Sequence, residues 1–492
     1  MYNSLREWLA QVEEIGQLKH ITAEVDWNLE MGALTYMVGK HMGSPALLFE
    51  NIKGYSRDYR VLFNMLGTGK ERIALALGLP TGLTITEMIQ ATREKLKKRI
   101  PPEFVDPKSA PVNENLHFGD DVDVLEFPVP KMWPRDGGRY LGTADVIITR
   151  DPETGCVNLG TYRQMVQGKS EVGFYVSPGK DAKLHREAWW KMDKPCEVAA
   201  VYGVDPLLFL VGSQGFPKTI SEYEFAGGIR GKAIEVVKGE VTELPIPAHA
   251  EIVIEGMAYP NNNRLEGPFG EFQGYYGRPE ATTPIIDVKC VHHRHQPILT
   301  SALMADYPSC EQNFFFSIIR SAKIWDDLDA LGIPGIKGVY SHPAAAGGFG
   351  VVIISMEQQY AGHAPQVLAL AAQCPAAAYY TKWIIAVEED VDPTNMDEVL
   401  WAMSTRCNPV EDIDILRNTW STYLDPTQNP PEERPYGSKA LINACREHKY
   451  LDVFSVRSRI TRSMYDSLSQ RWSELGLDGE PPVIRTFEKD NI

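Results

Sequence analysis

At 492 residues the chain is long enough for two or three domains with sizeable cores. Its 43% hydrophobic and 23% charged residues describe an ordinary globular protein, and the net charge of −16 argues against general nucleic-acid or anionic-membrane binding. The seven cysteines are scattered (156, 196, 290, 310, 374, 407, 445) without a CxxC pair, which points to a reducing cytoplasm and excludes a disulfide frame or thiolate zinc site.

The opening "MYNSLREWLAQVEEIG" carries acids and lacks the apolar core of an export signal. Leu5, Trp8, Leu9 and Val12 follow helical spacing instead, and Ser4 with Glu7 predicts a capping box. Further on, 29–42 and 85–100 predict helices and 45–55 a strand, so 1–115 is an N-terminal α/β region. The Pro-rich stretch 99–115 predicts a linker. From 116 to 310 the pattern is mostly β, with strands predicted in "ADVIITRD", "KAIEVVKG", "AEIVIEGMAY" and "PIIDVKCVHHRHQPILTSAL". From 311 to 455 helices return, with strands in "FGVVIISM" and "KWIIAVEED". The last segment, 456–492, predicts an amphipathic helix carrying Ile460, Met464, Leu468, Trp472 and Leu475, ended by Gly476. The most apolar stretch, 367–380, is broken by Gln373 and Pro375 and is too short to span a bilayer.

"RLEGPFGEFQGYYG" (264–277) is the first candidate for chemistry. Gly and Pro make it a bend, and Glu266 and Glu271 flank that bend among Leu265, Phe269, Phe272, Tyr275 and Tyr276. Burial among aromatics raises a carboxyl pKa, and a second acid nearby raises it further. Asn158 and Arg163 lie in a glycine-flanked, strand-like segment, and Glu222 and Glu224 precede Gly227-Gly228, read as a turn. Asn and Glu oxygens suit a hard divalent ion, and the Arg fork suits a carboxylate or phosphate. "HHRH" (292–295) reads as strand, where alternation sends neighbouring imidazoles to opposite faces, against a metal site. "AAAGGFG" (344–350) precedes a strand and lacks a P-loop Lys-Ser/Thr, so it reads as a flexible loop.

The motifs "LEFPVPKMWPRDGGRYLGT", "VNLGTYRQ", "SEYEFAG", "LEGPFGEFQGYYG", "QYAGHA", "VEEDVDP" and "VLWAMSTRCNP" occur in this order over most of the chain. Together they resemble the UbiD family of decarboxylases, which use prenylated flavin mononucleotide (prenylated FMN). The resemblance, over roughly 5–475, implies a central split β-barrel of flavin-reductase type between an N-terminal α/β region and a C-terminal α/β domain. It places the catalytic trio on Arg163, Glu266 and Glu271. It places metal ligands on Asn158 and Glu222, where a divalent ion (Mn2+ or Mg2+, with K+ alongside) ties the flavin phosphate to the protein. Thr161, Tyr162, Arg163 and Lys382 match cofactor-contacting positions. A His that family members often carry near "SPGKDA" (177–182) is missing. That leaves Asp181, His185 or water to complete the metal shell, and Lys180 to meet the phosphate directly.

The activity implied is non-oxidative, reversible decarboxylation of an aromatic or α,β-unsaturated acid through a covalent substrate adduct on the flavin. Glu271 would return a proton to the vacated carbon, and Glu266 would be its coupled partner, kept ionised by Arg163. Met304, Tyr307 and Phe314 to Phe316 are candidates for the pocket wall, or for core. Rival readings are a carboxylase or scaffold subunit of a multi-protein complex, and a plain flavin-binding oxidoreductase. The resemblance also implies a flavin prenyltransferase as cofactor supplier and a homo-oligomer, dimer or hexamer, assembled through the C-terminal apolar stripe.

Overall fold

The seam of a curled antiparallel sheet organises the molecule. The computed structural model describes residues 2–428, 430 and 433–490. The sheet's hydrogen-bonded order is Tyr140–Gly142, Gln164–Gly168, Glu171–Gly173, Ala281–His293, Ile252–Ala258, Cys196–Tyr202, Asp145–Arg150 and Val157–Gly160. Gly160, on one edge strand, leads to Gln164 near the other edge, and Gly142 likewise leads across to Asp145. A link of four Cα steps reaches at most about 14 Å. A flat sheet would hold those strands six spacings apart, roughly 29 Å. The sheet therefore curls until its edges face each other, a half-barrel whose seam is bridged by Thr143–Ala144 and Thr161–Arg163.

Burial on both faces explains the unbroken apolar runs in the central strands. Ile147, Val198, Ala200, Tyr202, Ile252 and Ile254 pack into one core cluster, and Val146, Ile148, Ala199, Val201 and Val253 into another. The second cluster is shared with helices Pro206–Gly212 and Glu222–Arg230, and with Leu5, Trp8, Leu9 and Val12 of helix Leu5–Glu14. Each buried Val, Leu or Ile among them contributes about 1.5–3 kcal/mol by leaving water. The N-terminal sheet runs Leu18–Ile21, Ala46–Phe49, Arg60–Phe63, Ile298–Thr300. The C-terminal sheet runs Ile336–Ser341, Val351–Met356, Trp383–Glu388, Gly437–Ala444, Ile413–Thr419.

Several local expectations are corrected. The stretch 99–115 is no free linker: Glu103–Phe104 pairs with Glu235–Lys238, and Ala110 and Val112 are buried. The Gly227-Gly228 pair is no turn but lies inside helix Glu222–Arg230, which starts at Ser221. A Cβ on Gly228 would stand 2.1 Å from the carbonyl oxygen of Lys98, so the glycines permit close helix–backbone packing. The central region also holds helices Asp181–Lys191 and Pro206–Gly212 among its strands. Ser4 caps the first helix through Glu7 N–H, but the Glu7 carboxylate takes the Asn3 N–H, so the reciprocal box is incomplete. The 344–350 loop is packed, with the Phe349 ring tilted against that of Phe316 at 4.3 Å between centroids and the Gly348 carbonyl held by Arg320. The last helix spans only Arg462–Gln470, with Ile460 before it and Trp472 and Leu475 in the turns after it.

Candidate active site

Glu266 ends strand Asn263–Glu266, and the chain then reverses at Gly267, whose φ of 90° a side chain rarely tolerates. The loop before the barrel fixes this bend. Gly137 N–H donates to the Pro268 carbonyl at 2.9 Å, and Gly270 N–H donates to Asp136 at 3.0 Å. Asp136 is itself pushed up to about 6 by burial, partly offset by its backbone donors. Glu271 emerges on the far side, its N–H donating to the Tyr275 carbonyl at 3.0 Å.

The two acids meet one guanidinium. Arg163 donates from Nε and Nη2 to Glu266 at 2.9 and 3.0 Å, and from Nη1 to Glu271. All three side chains are more than nine-tenths buried. Burial works against the charge of Arg163, but Glu271 and Glu266 outweigh it and hold the guanidinium above its ordinary range. Glu266 also accepts from Arg278 Nη1 and from the Tyr140 hydroxyl, each at 3.2 Å. That surplus of donors matches a carboxylate. Glu271 has one strong donor and is pushed up to about 7, first by burial, with Arg163 opposing and Glu266 adding to the rise. One acid is thus saturated with positive partners while the other is poised to carry a proton near neutrality.

Arg163, Glu271, Thr161, Tyr162 and Lys180 line one cavity of about 160 Å³ at the seam, with Thr143, Asp145 and Ser213. Phe316, Phe349, Tyr379 and Leu424 from the C-terminal half close it. Glu271 and Met304 also wall a second cavity of about 550 Å³, faced by Tyr36, Trp133, Tyr275 and Tyr276. Together the two are of the size that small-molecule sites occupy.

The expected metal ligands lie at the other end of the three-residue bridge. Asn158 and Glu222 are both buried, and one Glu222 oxygen accepts the Leu159 N–H at 2.8 Å. Burial pushes the Glu222 carboxyl up to about 8, and Asp181 adds to the rise. The Asn158 amide nitrogen has no hydrogen-bond partner among the described residues. The Glu222 carboxylate and the Asn158 side-chain oxygen, reached by turning an amide whose nitrogen has no partner to lose, are a set of hard oxygens that fits a divalent cation. Of the candidates for a third ligand, Asp181 is close enough to perturb both Glu222 and Tyr162. His185 instead turns its Nδ1 to the Thr149 hydroxyl at 3.0 Å and its Nε2 toward Asp151. Lys180 lines the cavity, whereas Lys382 is not among the residues lining it and pairs with Asp425 at 2.9 Å.

Sequence reasoning missed Arg278, Tyr140 and Lys323. Arg278 follows the two-acid motif closely, a signal that was available, and its guanidinium shares the Tyr175 ring with Arg163 at 4.3 and 4.4 Å. Lys323, pushed down to about 8 by burial, stands near Lys180 and Glu222 but sits on a helix with no local mark of function. Among the earlier wall candidates, Met304 and Phe316 face the cavity, Phe315 is core, and the Tyr307 hydroxyl turns toward Met42.

Three sequence profiles match the chain in order. They are the N-terminal (9–92), Rift-related (103–307) and C-terminal (313–444) domains of 3-octaprenyl-4-hydroxybenzoate carboxy-lyase. The chain belongs to the UbiD family, and its reaction class is that of a carboxy-lyase. The UbiD-class enzyme HmfF from Pelotomaculum thermopropionicum, solved with FMN, is 29% identical, covering 92% of this chain and 97% of its own, with a TM-score of 0.81. Vanillic acid decarboxylase of Sedimentibacter hydroxybenzoicus is 28% identical over 97% of this chain and 100% of its own, with a TM-score of 0.87. The 3,4-dihydroxybenzoic acid decarboxylase of Klebsiella pneumoniae is 26% identical over 93% and 97%, with a TM-score of 0.81.

Proposed function

We propose that this protein decarboxylates an aromatic or α,β-unsaturated carboxylic acid, non-oxidatively and reversibly, with prenylated FMN in the seam cavity. The observation that carries the reading is one buried guanidinium gripping two acids, one of them held near pKa 7 at the cavity wall. Relatives named as vanillic acid and 3,4-dihydroxybenzoic acid decarboxylases, and one solved with prenylated FMN, support the substrate class and the cofactor.

Asn158, Glu222 and Asp181 would hold a Mn2+ or Mg2+ ion, with K+ alongside, and Lys180 and Lys323 would add positive charge for a phosphate. When bound, the prenylated flavin supplies the electron sink that loss of carbon dioxide requires and no side chain offers. Arg163 orients the substrate carboxylate and keeps Glu266 and Glu271 at fixed separation. Glu271 delivers the proton that replaces carbon dioxide and recovers it from solvent for the next turnover. Tyr36, Trp133, Tyr275 and Tyr276 offer flat apolar walls that suit a ring and exclude water.

A flavin prenyltransferase would supply the cofactor, and the protein would work in the cytoplasm as a homo-oligomer. Among the described residues no helix is long and apolar enough to cross a membrane. The decisive experiment uses protein produced alongside a flavin prenyltransferase, assayed for carbon dioxide release across a panel of aromatic and cinnamic acids. Glu271→Gln should keep its cofactor and lose at least about 100-fold in turnover, the scale of a general acid. Near-normal turnover in that variant would falsify the assignment.

A further inference from the structure

The motif "HHRH" is split by the barrel into two unlike environments. His292 is enclosed on one face, its Nε2 2.7 Å from Glu255 and its Nδ1 2.9 Å from the Asn113 side chain. Glu255 also accepts from the backbone of Glu240 and Thr242, so that network is satisfied within the protein. His293 points to the other face, toward the edge strand Asn115–Phe118, which pairs antiparallel with the end of Ala281–His293. In that register Val291 lies opposite His117, so His117 and His293 sit diagonally on one face of the pair.

There the two imidazoles approach through their Nε2 atoms at 3.2 Å. Nδ1 of His293 is 2.9 Å from the Arg294 carbonyl, so it carries the proton and Nε2 presents a lone pair. A main-chain carbonyl behind a histidine is the second contact that fixes a metal ligand's tautomer. Glu126 Oε1 lies 3.8 Å from that Nε2, buried and with no hydrogen-bond partner among the described residues. The donor atoms of all three residues fall within 4.8 Å of one another. A tetrahedral ion bound at about 2.0–2.1 Å separates two imidazole nitrogens by about 3.3 Å. The observed spacing therefore needs little adjustment.

We propose that His117, His293 and Glu126 form a binding site for a divalent transition-metal ion, zinc in the first instance, with one position left to water. The site lies at the opposite end of strand Ala281–His293 from Glu266 and uses none of the residues assigned to decarboxylation. Two imidazoles and a carboxylate select Zn2+ or Co2+ over the hard cation suited to Asn158 and Glu222. His117 is only partly buried, which gives the ion a route from solvent. Bound metal would cross-link the edge strand to the barrel and hold the turn that carries Glu126.

The test titrates full-length, tag-free, chelator-stripped protein with Co2+ and then Zn2+, in a Glu222→Ala background that removes the oxygen-rich site. One Co2+ per chain with the intense visible bands of a tetrahedral centre, displaced by one Zn2+, is the expected result. His117→Ala should weaken binding by at least about 100-fold, more than loss of an outer-shell partner costs. Glu126→Gln, which keeps the shape of the side chain, repeats the test if the alanine variant does not fold, and should also lower affinity. Absence of tetrahedral bands, or bands unchanged in both variants, would overturn the proposal and leave the 3.2 Å approach as an imidazole–imidazole hydrogen bond.

Discussion

Titrating Glu271 gives the sharpest check on the division of labour between the two acids. Its carboxyl rises from 4.5 to about 7 on folding, so the folded protein binds this proton more tightly than the unfolded chain does. The stability that the proton confers is fully present below the unfolded value and is lost as pH rises through the folded one. From these two values, Glu271 should cost the cofactor-free protein about 2 kcal/mol more at about pH 8 than at about pH 5. Glu271→Gln carries no ionisable group there. The difference in unfolding free energy between wild type and this variant should therefore change by that amount across the range, with wild type losing ground as pH rises. Paired urea titrations at the two pH values measure it. In the proposed reaction the same proton is the one delivered to product, so kcat/KM of the loaded enzyme should fall about tenfold per pH unit above about 7. A pH-independent difference between the two proteins, or a rate that holds to about pH 9, would refute the argument that burial poises this acid.

Three further outcomes follow from the surrounding contacts. Arg278→Leu removes one of the two guanidiniums on buried Glu266 and should lower kcat/KM by about tenfold or more; Arg278→Lys should restore part of it, which a purely structural role would not predict. Glu222→Gln should stabilise the metal-free protein at neutral pH, because it removes an acid that burial disfavours while retaining an acceptor for Leu159 N–H, yet should leave little flavin bound by absorbance and native mass. Met464, Leu468 and Leu475 are all about half exposed on a single chain. Light scattering should therefore find an oligomer that truncation after about residue 455 weakens, and a 55.1 kDa particle for the full-length chain at micromolar concentration would end that expectation.

Local patterns carried a large part of this protein. Apolar runs marked the central strands because those strands are buried on both faces, and 3.6-residue spacing marked the first helix because one stripe of it faces the core. The Gly-Pro bend and its two acids were visible because a turn and its flanking residues are a contiguous signal. Where a local signal had two physical causes, sequence reasoning chose wrongly. Gly227-Gly228 reads equally as a turn or as close helix packing, and only the carbonyl of Lys98 lying against it decides. The Pro-rich stretch at 99–115 reads as a linker until the strand Glu235–Lys238 pairs with it. Convergence was decided by the tertiary structure alone. Arg163 meets an acid 108 positions away, His117 meets His293 across 176, and Tyr379 and Leu424 close a cavity opened by Thr161. Such contacts depend on strand order and on the curl that brings the sheet's edges together, and neither leaves a periodic trace in any one segment of the chain.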